Sequence, residues 1–298
     1  MTSITRRRFL MYAAGAVGLG LIARYSGVAS ALARPGAKQP ATTEGGNAVV
    51  PPKPGHADRK YSQDAFDTTA DPANKFGLVI DVGACIGCRR CMWACKQENN
   101  IPDTISPLWI ETFQLDAETD LTGHPSMDEL RQGATTSYIE SPTAGHWYLP
   151  VQCQHCDNPP CVKVCPTGAT YKAADGPVLM DYQKCIGCRL CVVACPYSAR
   201  RFNWQKPSVP ADQVNPLVPV RPIGVVEKCT LCTHRTRRGQ LPRCVEVCPV
   251  NARHFGNLND PQSEASRIVK DNMSFRLLEE LNTQPSIRYI TRGKKWSA

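Results

Sequence analysis

Apolar residues in this 298-residue chain come in short runs separated by polar and proline-containing stretches. The longest run, Met11 to Ala23, ends at Arg24, short of the roughly 20 residues that a bilayer-spanning helix needs. From there to Lys75 the chain is rich in Pro, Gly, Ala and Thr, which predicts a linker or an extended arm (34–75). Phe76–Asp81 predicts a strand, and Pro177–Asp181 predicts its counterpart. Short helices are predicted at Cys91–Gln97 and Cys191–Cys195, with proline ending the second sharply. In the tail, Asp260–Asn282 has helical apolar spacing at Ile268, Phe275, Leu278 and Leu281, which predicts packing across the core. Ile101–Pro142 and the Pro-rich Val209–Pro222 read as surface excursions. Beyond the first run no segment is long and apolar enough to cross a membrane, so a membrane role would need another subunit as anchor.

The start of the chain bears on compartment. Thr5-Arg6-Arg7-Arg8-Phe9-Leu10 resembles the twin-arginine export motif, and Ala29-Ser30-Ala31 and Ala31-Leu32-Ala33 offer A-x-A cleavage sites. Residues 1–33 are therefore expected to be a signal peptide, with an uncleaved anchor as the alternative. The resemblance implies export of a folded, cofactor-loaded protein. The expected place is the periplasm or the outer face of the cytoplasmic membrane.

Cysteine usage supplies the chemistry. All 16 cysteines fall in four sets of four: Cys85, Cys88, Cys91, Cys95; Cys153, Cys156, Cys161, Cys165; Cys185, Cys188, Cys191, Cys195; and Cys229, Cys232, Cys244, Cys248. Every set closes with Cys-x-x-x-Cys, and three are followed by Pro166, Pro196 and Pro249, the first having Lys96 instead. The third set has the C-x2-C-x2-C-x3-C-P spacing of bacterial ferredoxins, whose fourth cysteine ligates the other cluster of a pair. Sixteen thiolates suffice for four [4Fe–4S] clusters. Zinc also takes all-cysteine sites, but it needs only two C-x-x-C pairs per ion and leaves the third cysteine and the Cys-Pro repeats unexplained. A disulfide scaffold suits an exported chain, yet Cys85, Cys88 and Cys91 crowd into seven residues and are poorly placed for mutual bridging.

The formal charge of +9 suggests a nucleic-acid partner until the clusters are counted. A signal through Ala33 removes Arg6, Arg7, Arg8 and Arg24 and no acid, leaving +5. Each cluster with its deprotonated thiols nets about −2, which brings the loaded protein to about −3. No nucleic-acid role is expected. Arg89, Arg90, Arg189, Arg200, Arg201, Arg235, Arg237 and Arg238 lie beside the sites and are expected to offset local negative charge or to be solvated. His155 and His234 lie in site loops, where a surface or loop-capping role is favoured over tuning of a potential. Trp93, Trp147 and Trp204 are expected to shield clusters from water.

An internal repeat organises the sites. Asp81 and Cys85-Ile86-Gly87-Cys88-Arg89 match Asp181 and Cys185-Ile186-Gly187-Cys188-Arg189, and Cys161-Val162-Lys163-Val164-Cys165-Pro166 resembles Cys244-Val245-Glu246-Val247-Cys248-Pro249. Two site types are each used twice, and a two-cluster unit needs one of each. Sites two and three are close enough for one unit, with sites one and four as the other, although tandem pairing of one with two and three with four is chemically allowed. The expected fold class is α+β: two nested bacterial-type two-cluster ferredoxin units with short strands and helices, long loops and an extended N-terminal arm. The outer unit takes 76–100 and 223–257, the inner unit 147–204, with an insertion at 101–146, a connector at 205–222 and a tail at 258–298. Units this small rely on their clusters as staples.

With these motifs, the chain from Phe76 onward resembles the four-cluster iron–sulfur subunits of membrane-bound molybdopterin oxidoreductases, such as dimethyl sulfoxide, polysulfide, tetrathionate and nitrate reductases. It is also similar to the exported iron–sulfur subunit of the Dsr transmembrane complex. The resemblance implies that one cluster takes Cys85, Cys88, Cys91 and Cys248, and its partner Cys229, Cys232, Cys244 and Cys95. It implies an inner pair on Cys153, Cys156, Cys161 with Cys195, and on Cys185, Cys188, Cys191 with Cys165. In the nitrate-reductase branch the third site lacks one cysteine and its cluster has three irons; here Cys188 is present, and four cubanes are expected. The implied function is electron transfer, without catalysis in this chain, between an integral membrane quinone-reactive subunit and a molybdopterin-type catalytic subunit. The alternatives are a redox complex without molybdopterin, with haem subunits as partners, and a free polyferredoxin.

Overall fold

The computed structural model describes residues 70–116, 143 and 146–291, all within the unit Pro54–Ala298. The predicted signal and nearly all of the predicted arm lie outside the described residues, as does 117–142. The described elements run β1 (Phe76–Asp81), α1 (Arg90–Glu98), β2 (Glu111–Asp116), β3 (His146–Val151), α2 (Pro160–Lys163), β4 (Thr170–Lys172), β5 (Val178–Met180) and α3 (Leu190–Val193). There follow β6 (Arg201–Phe202), β7 (Val226–Glu227), α4 (Thr233–Thr236), α5 (Arg243–Glu246), β8 (Arg253–Asn257), α6 (Glu264–Asp271), β9 (Ser274–Phe275) and β10 (Ile287–Ile290). Short strands and helices are mixed throughout, and among the described residues no helix is long and apolar enough to cross a membrane.

β1 occupies the predicted span, and its residues from Gly77 to Asp81 are buried. It is central in a four-stranded sheet ordered β8-β1-β10-β9, antiparallel to β8 and parallel to β10. The strand ahead of the first cysteine site thus pairs with the strand behind the fourth, with Leu78 opposite Phe255. Between sites two and three, β4 pairs antiparallel with β5. Between three and four, β6 pairs with β7. Helix contacts follow the same order: α1 packs on α5, and α2 on α3.

Three expectations are corrected. Ile101–Pro142 is not simply a surface excursion: Ile101, Ile105, Trp109, Ile110, Phe113 and Leu115 are buried in one core with Leu78, Ile80 and Leu149. Full burial of such side chains stabilises by about 1.5–3 kcal/mol each, which outweighs the preference of a loop for water. β2 continues from this segment and pairs with β3. The connector is also anchored, because Val218 and Arg221 are buried. The tail helix stops at Asp271 rather than Asn282. Its start is fixed by Ser263, whose side-chain oxygen accepts from the Ser266 backbone N–H at 3.2 Å. Ala265 and Ile268 cover Val79 and Ile290. Phe275 then enters β9, while Leu281 is exposed.

Candidate metal centres

The four sites share one local design. A loop presents the first two cysteines and a short helix carries the third; the fourth lies beyond the helix end in sites two, three and four, and inside α1 in site one. Arg89 and Arg189 precede α1 and α3 with φ of 57° and 61°, turning the chain sharply into each helix. α2, α3 and α5 stop at Lys163, Val193 and Glu246, ahead of Cys165-Pro166, Cys195-Pro196 and Cys248-Pro249. The residue before a proline is disfavoured in helical conformation. α1 has Lys96 in that place and continues to Glu98, so Cys91 and Cys95 share one helical face.

Folding brings cysteines of different sites together. Cys85 is within electrostatic reach of Cys248 and Cys88, and Cys91 of Cys244, Cys85 and Cys88. Cys95 responds to Cys229, Cys232 and Cys244. These last four cysteines line one largely enclosed cavity, together with Asn99 and Gln152. Cys156 neighbours Cys153, Cys195 and Cys161, and Cys195 neighbours Cys153 and Cys161. Cys191 neighbours Cys161 and Cys185. Cys188 is exposed. Cys165 is held mainly by hydrogen bonds: its sulfur accepts from the Thr170 backbone N–H at 3.4 Å.

Burial pushes the thiols of Cys91, Cys156 and Cys229 up to about 12, and neighbouring thiolates add to the effect. Cys165 moves the other way, because hydrogen bonds from Thr170 and Thr167 outweigh its burial. Sites of this kind favour thiolate only when a cation replaces the protons.

The buried polar groups fit a sulfur-rich anionic body. Gln152 Nε2, His155 Nε2, Arg200 Nη2 and Arg253 Nε are buried donors without a protein acceptor. Asn99 Nδ2 reaches Cys95 Sγ at 3.6 Å and Cys232 Sγ at 3.8 Å. Backbone N–H groups of Ala252 and Leu231 donate to Cys248 and Cys229 at 3.2 and 3.4 Å. Lys228 is buried, with Nζ on the carbonyl oxygens of Val178 and Cys229. Unsatisfied buried donors are costly in a protein interior, and bridging sulfides would satisfy donors beside the cysteines.

Several sequence expectations for neighbouring residues change. His155 is not on the surface: it is fully buried, and Nδ1 accepts from the Val178 backbone N–H at 3.0 Å. Burial, helped by Lys228, Lys172 and Arg200, depresses its pKa strongly, so the ring is neutral with its proton on Nε2. His234 is buried against Glu98 at 2.8 Å. Trp147 is in the core, whereas Trp93 and Trp204 are 47% and 67% exposed. Trp204 instead stacks with Arg189 at 4.6 Å. Arg253, Lys228 and Asn99 escape sequence reasoning; the repeated Cys-Pro-x-x-Ala-Arg run is the available signal for the first.

Cysteine clustering and a donor-rich lining define an iron–sulfur protein of the ferredoxin type. Residues 145–213 and 219–258 match a 4Fe-4S dicluster domain, and residues 84–170 match a second family of the same description. Two dicluster domains with 16 cysteines provide for four [4Fe–4S] clusters. A Halobacterium salinarum protein named as an iron-sulfur subunit of dimethyl sulfoxide reductase is 44% identical over 75% of this chain and 83% of its own. Hdr-like menaquinol oxidoreductase iron-sulfur subunit 1 of Archaeoglobus fulgidus is 35% identical over 74% of this chain and 84% of its own. A subunit of the tetrathionate reductase of Salmonella typhimurium is 33% identical over 74% of this chain and 73% of its own. The chain belongs to the family of 4Fe-4S iron–sulfur electron-transfer subunits of molybdopterin and quinol oxidoreductases.

Proposed function

We propose that the chain is a non-catalytic wire that carries electrons through four clusters between a membrane quinone-reactive subunit and a molybdopterin catalytic subunit. When bound, the clusters supply one-electron chemistry; the protein supplies thiolates, hydrogen bonds to sulfur, burial and fixed charge. The ligand sets proposed are Cys85, Cys88, Cys91, Cys248; Cys229, Cys232, Cys244, Cys95; Cys153, Cys156, Cys161, Cys195; and Cys185, Cys188, Cys191, Cys165. The matched domain ranges follow chain order and cut across these sets. The observation that carries the reading is the convergence of Cys95 with Cys229, Cys232 and Cys244 on one cavity, supported by the β1–β8 pairing. Both favour a nested arrangement, sites one with four around two with three.

Export by the twin-arginine pathway, cleavage after Ala31 or Ala33 and a place in the periplasm or at the outer face of the cytoplasmic membrane belong to the same proposal. They rest on the Arg6-Arg7-Arg8 run and the apolar stretch behind it. A second reading, a quinol-linked complex without molybdopterin, is favoured by the similarity to the menaquinol oxidoreductase subunit. Purification of the native complex decides between them. A co-purifying molybdenum-containing subunit supports the first reading; haem or further iron–sulfur subunits without molybdenum support the second.

A further inference from the structure

The residue five places beyond the last cysteine of each site is Asn100, Thr170, Arg200 or Arg253. Sites three and four therefore end in the same run, Cys-Pro-x-x-Ala-Arg, and both arginines are buried. Among the described residues neither is paired with a carboxylate, and each keeps a buried nitrogen without an acceptor. Arg253 donates to Gln152 Oε1 at 2.8 Å and lies 4.0 Å from Cys91 Sγ. Arg200 donates to Thr170 Oγ1 and Met180 Sδ, each at 3.1 Å.

Tyr289 neighbours Arg253 and His155 neighbours Arg200, but most titratable neighbours of both are thiols, and each arginine has thiol neighbours from two cysteine sets. Around Arg253 these are Cys244, Cys91 and Cys85; around Arg200 they are Cys161, Cys191 and Cys153. On the ligand sets proposed above, on which this inference rests, Cys85 and Cys91 serve one outer cluster and Cys244 the other. Cys153 and Cys161 likewise serve one inner cluster and Cys191 the other.

We propose that Arg253 and Arg200 are potential-setting residues, each a fixed cation in the gap between the two clusters of its pair. Reduction adds one negative charge to a cluster, and a nearby cation in a poorly screened interior stabilises the reduced form. A cation in the gap acts on both neighbours, raising both potentials and easing the load of two reduced clusters side by side. Arginine suits the task because it remains charged at every working pH and its fork serves several sulfur acceptors. The interaction weakens with distance, so each arginine governs its own pair.

The test is a redox titration of the full loaded protein, followed by electron paramagnetic resonance, for wild type, R253Q, R253K, R200Q and R200K. Iron content of the wild type tests the underlying four-cluster reading separately from the variants. In fully loaded protein, R253Q shifts two clusters to lower potential and leaves two unmoved. R200Q shifts the other two, and each lysine variant stays near wild type. Unmoved potentials in a fully loaded glutamine variant, or equal movement of all four clusters, overturn the proposal. So does failure of both glutamine variants to load iron when both lysine variants load, since the role would then lie in assembly.

Discussion

The thiol of Cys229 lies beside that of Cys153, although the two belong to different sites. Lys228, beside them, bridges the Val178 carbonyl of β5 to the carbonyl of Cys229. Cys91 stands beside Cys244 and Cys161 beside Cys191. On the proposed ligand sets these three contacts arrange four clusters in a line, with the middle gap at Cys153 and Cys229.

The loaded protein is predicted to contain about 16 iron and about 16 sulfide per chain, since each [4Fe–4S] cluster takes four thiolates. Elemental analysis with a sulfide assay checks this. Two zinc ions per chain and little sulfide would contradict it.

Glu227 is predicted to be the most sensitive carboxylate outside the cysteine sites. Its side chain is fully buried and takes Arg221 Nε at 2.7 Å, Trp109 Nε1 at 2.9 Å and Asn203 Nδ2 at 3.0 Å. Arg221 also donates to the carbonyls of Asn99 and Asn100 at the end of α1. Glu227→Ala leaves a buried guanidinium uncompensated and should cost about 3–5 kcal/mol, read as a lower denaturant midpoint. Replacing Arg221 and Glu227 together with apolar residues should cost much less.

This hub also shows what is legible in sequence. The cysteine sets, β1 and the repeat of sites one and three are local patterns, and local spacing reports them. The packing of Trp109 and Arg221 on Glu227 depends on chain segments far apart in sequence, and no short window contains it. Loop-like polarity around Ile101, Ile105 and Ile110 hides their contacts with the core. The tail departs from its helical pattern because Phe275 pairs in β9 with β10, whose Ile287–Ile290 takes the parallel place beside β1. His155 looks like a loop histidine because sequence does not reveal that its loop is buried.

Gly187 is predicted to be essential to the third site. Its φ is +70°, and an added Cβ would lie 2.3 Å from the carbonyl oxygen of Gly224. The left-handed conformation alone costs a non-glycine residue about 1–2 kcal/mol, and the backbone clash adds to it. Gly187→Ala should remove about a quarter of the iron, the share of one cluster in four. Gly168→Ala, with similar φ but nothing within 4 Å, should retain full iron. Equal iron contents in the two variants would contradict this account.

Changing Arg6 and Arg7 together to lysine is predicted to stop export, because lysine does not reproduce recognition of paired guanidinium groups. Fractionation of cells expressing the double variant checks this, with retention in the cytoplasm as the expected outcome.

The nested ligation is tested most directly by spectroscopy of Cys248→Ser. Cys248 is far from the first site in sequence, yet it lies within electrostatic reach of Cys85. The account predicts that the variant perturbs the cluster held by Cys85, Cys88 and Cys91 and leaves the inner pair intact. Perturbation of a cluster held by Cys185, with the first-site cluster unchanged, would contradict it.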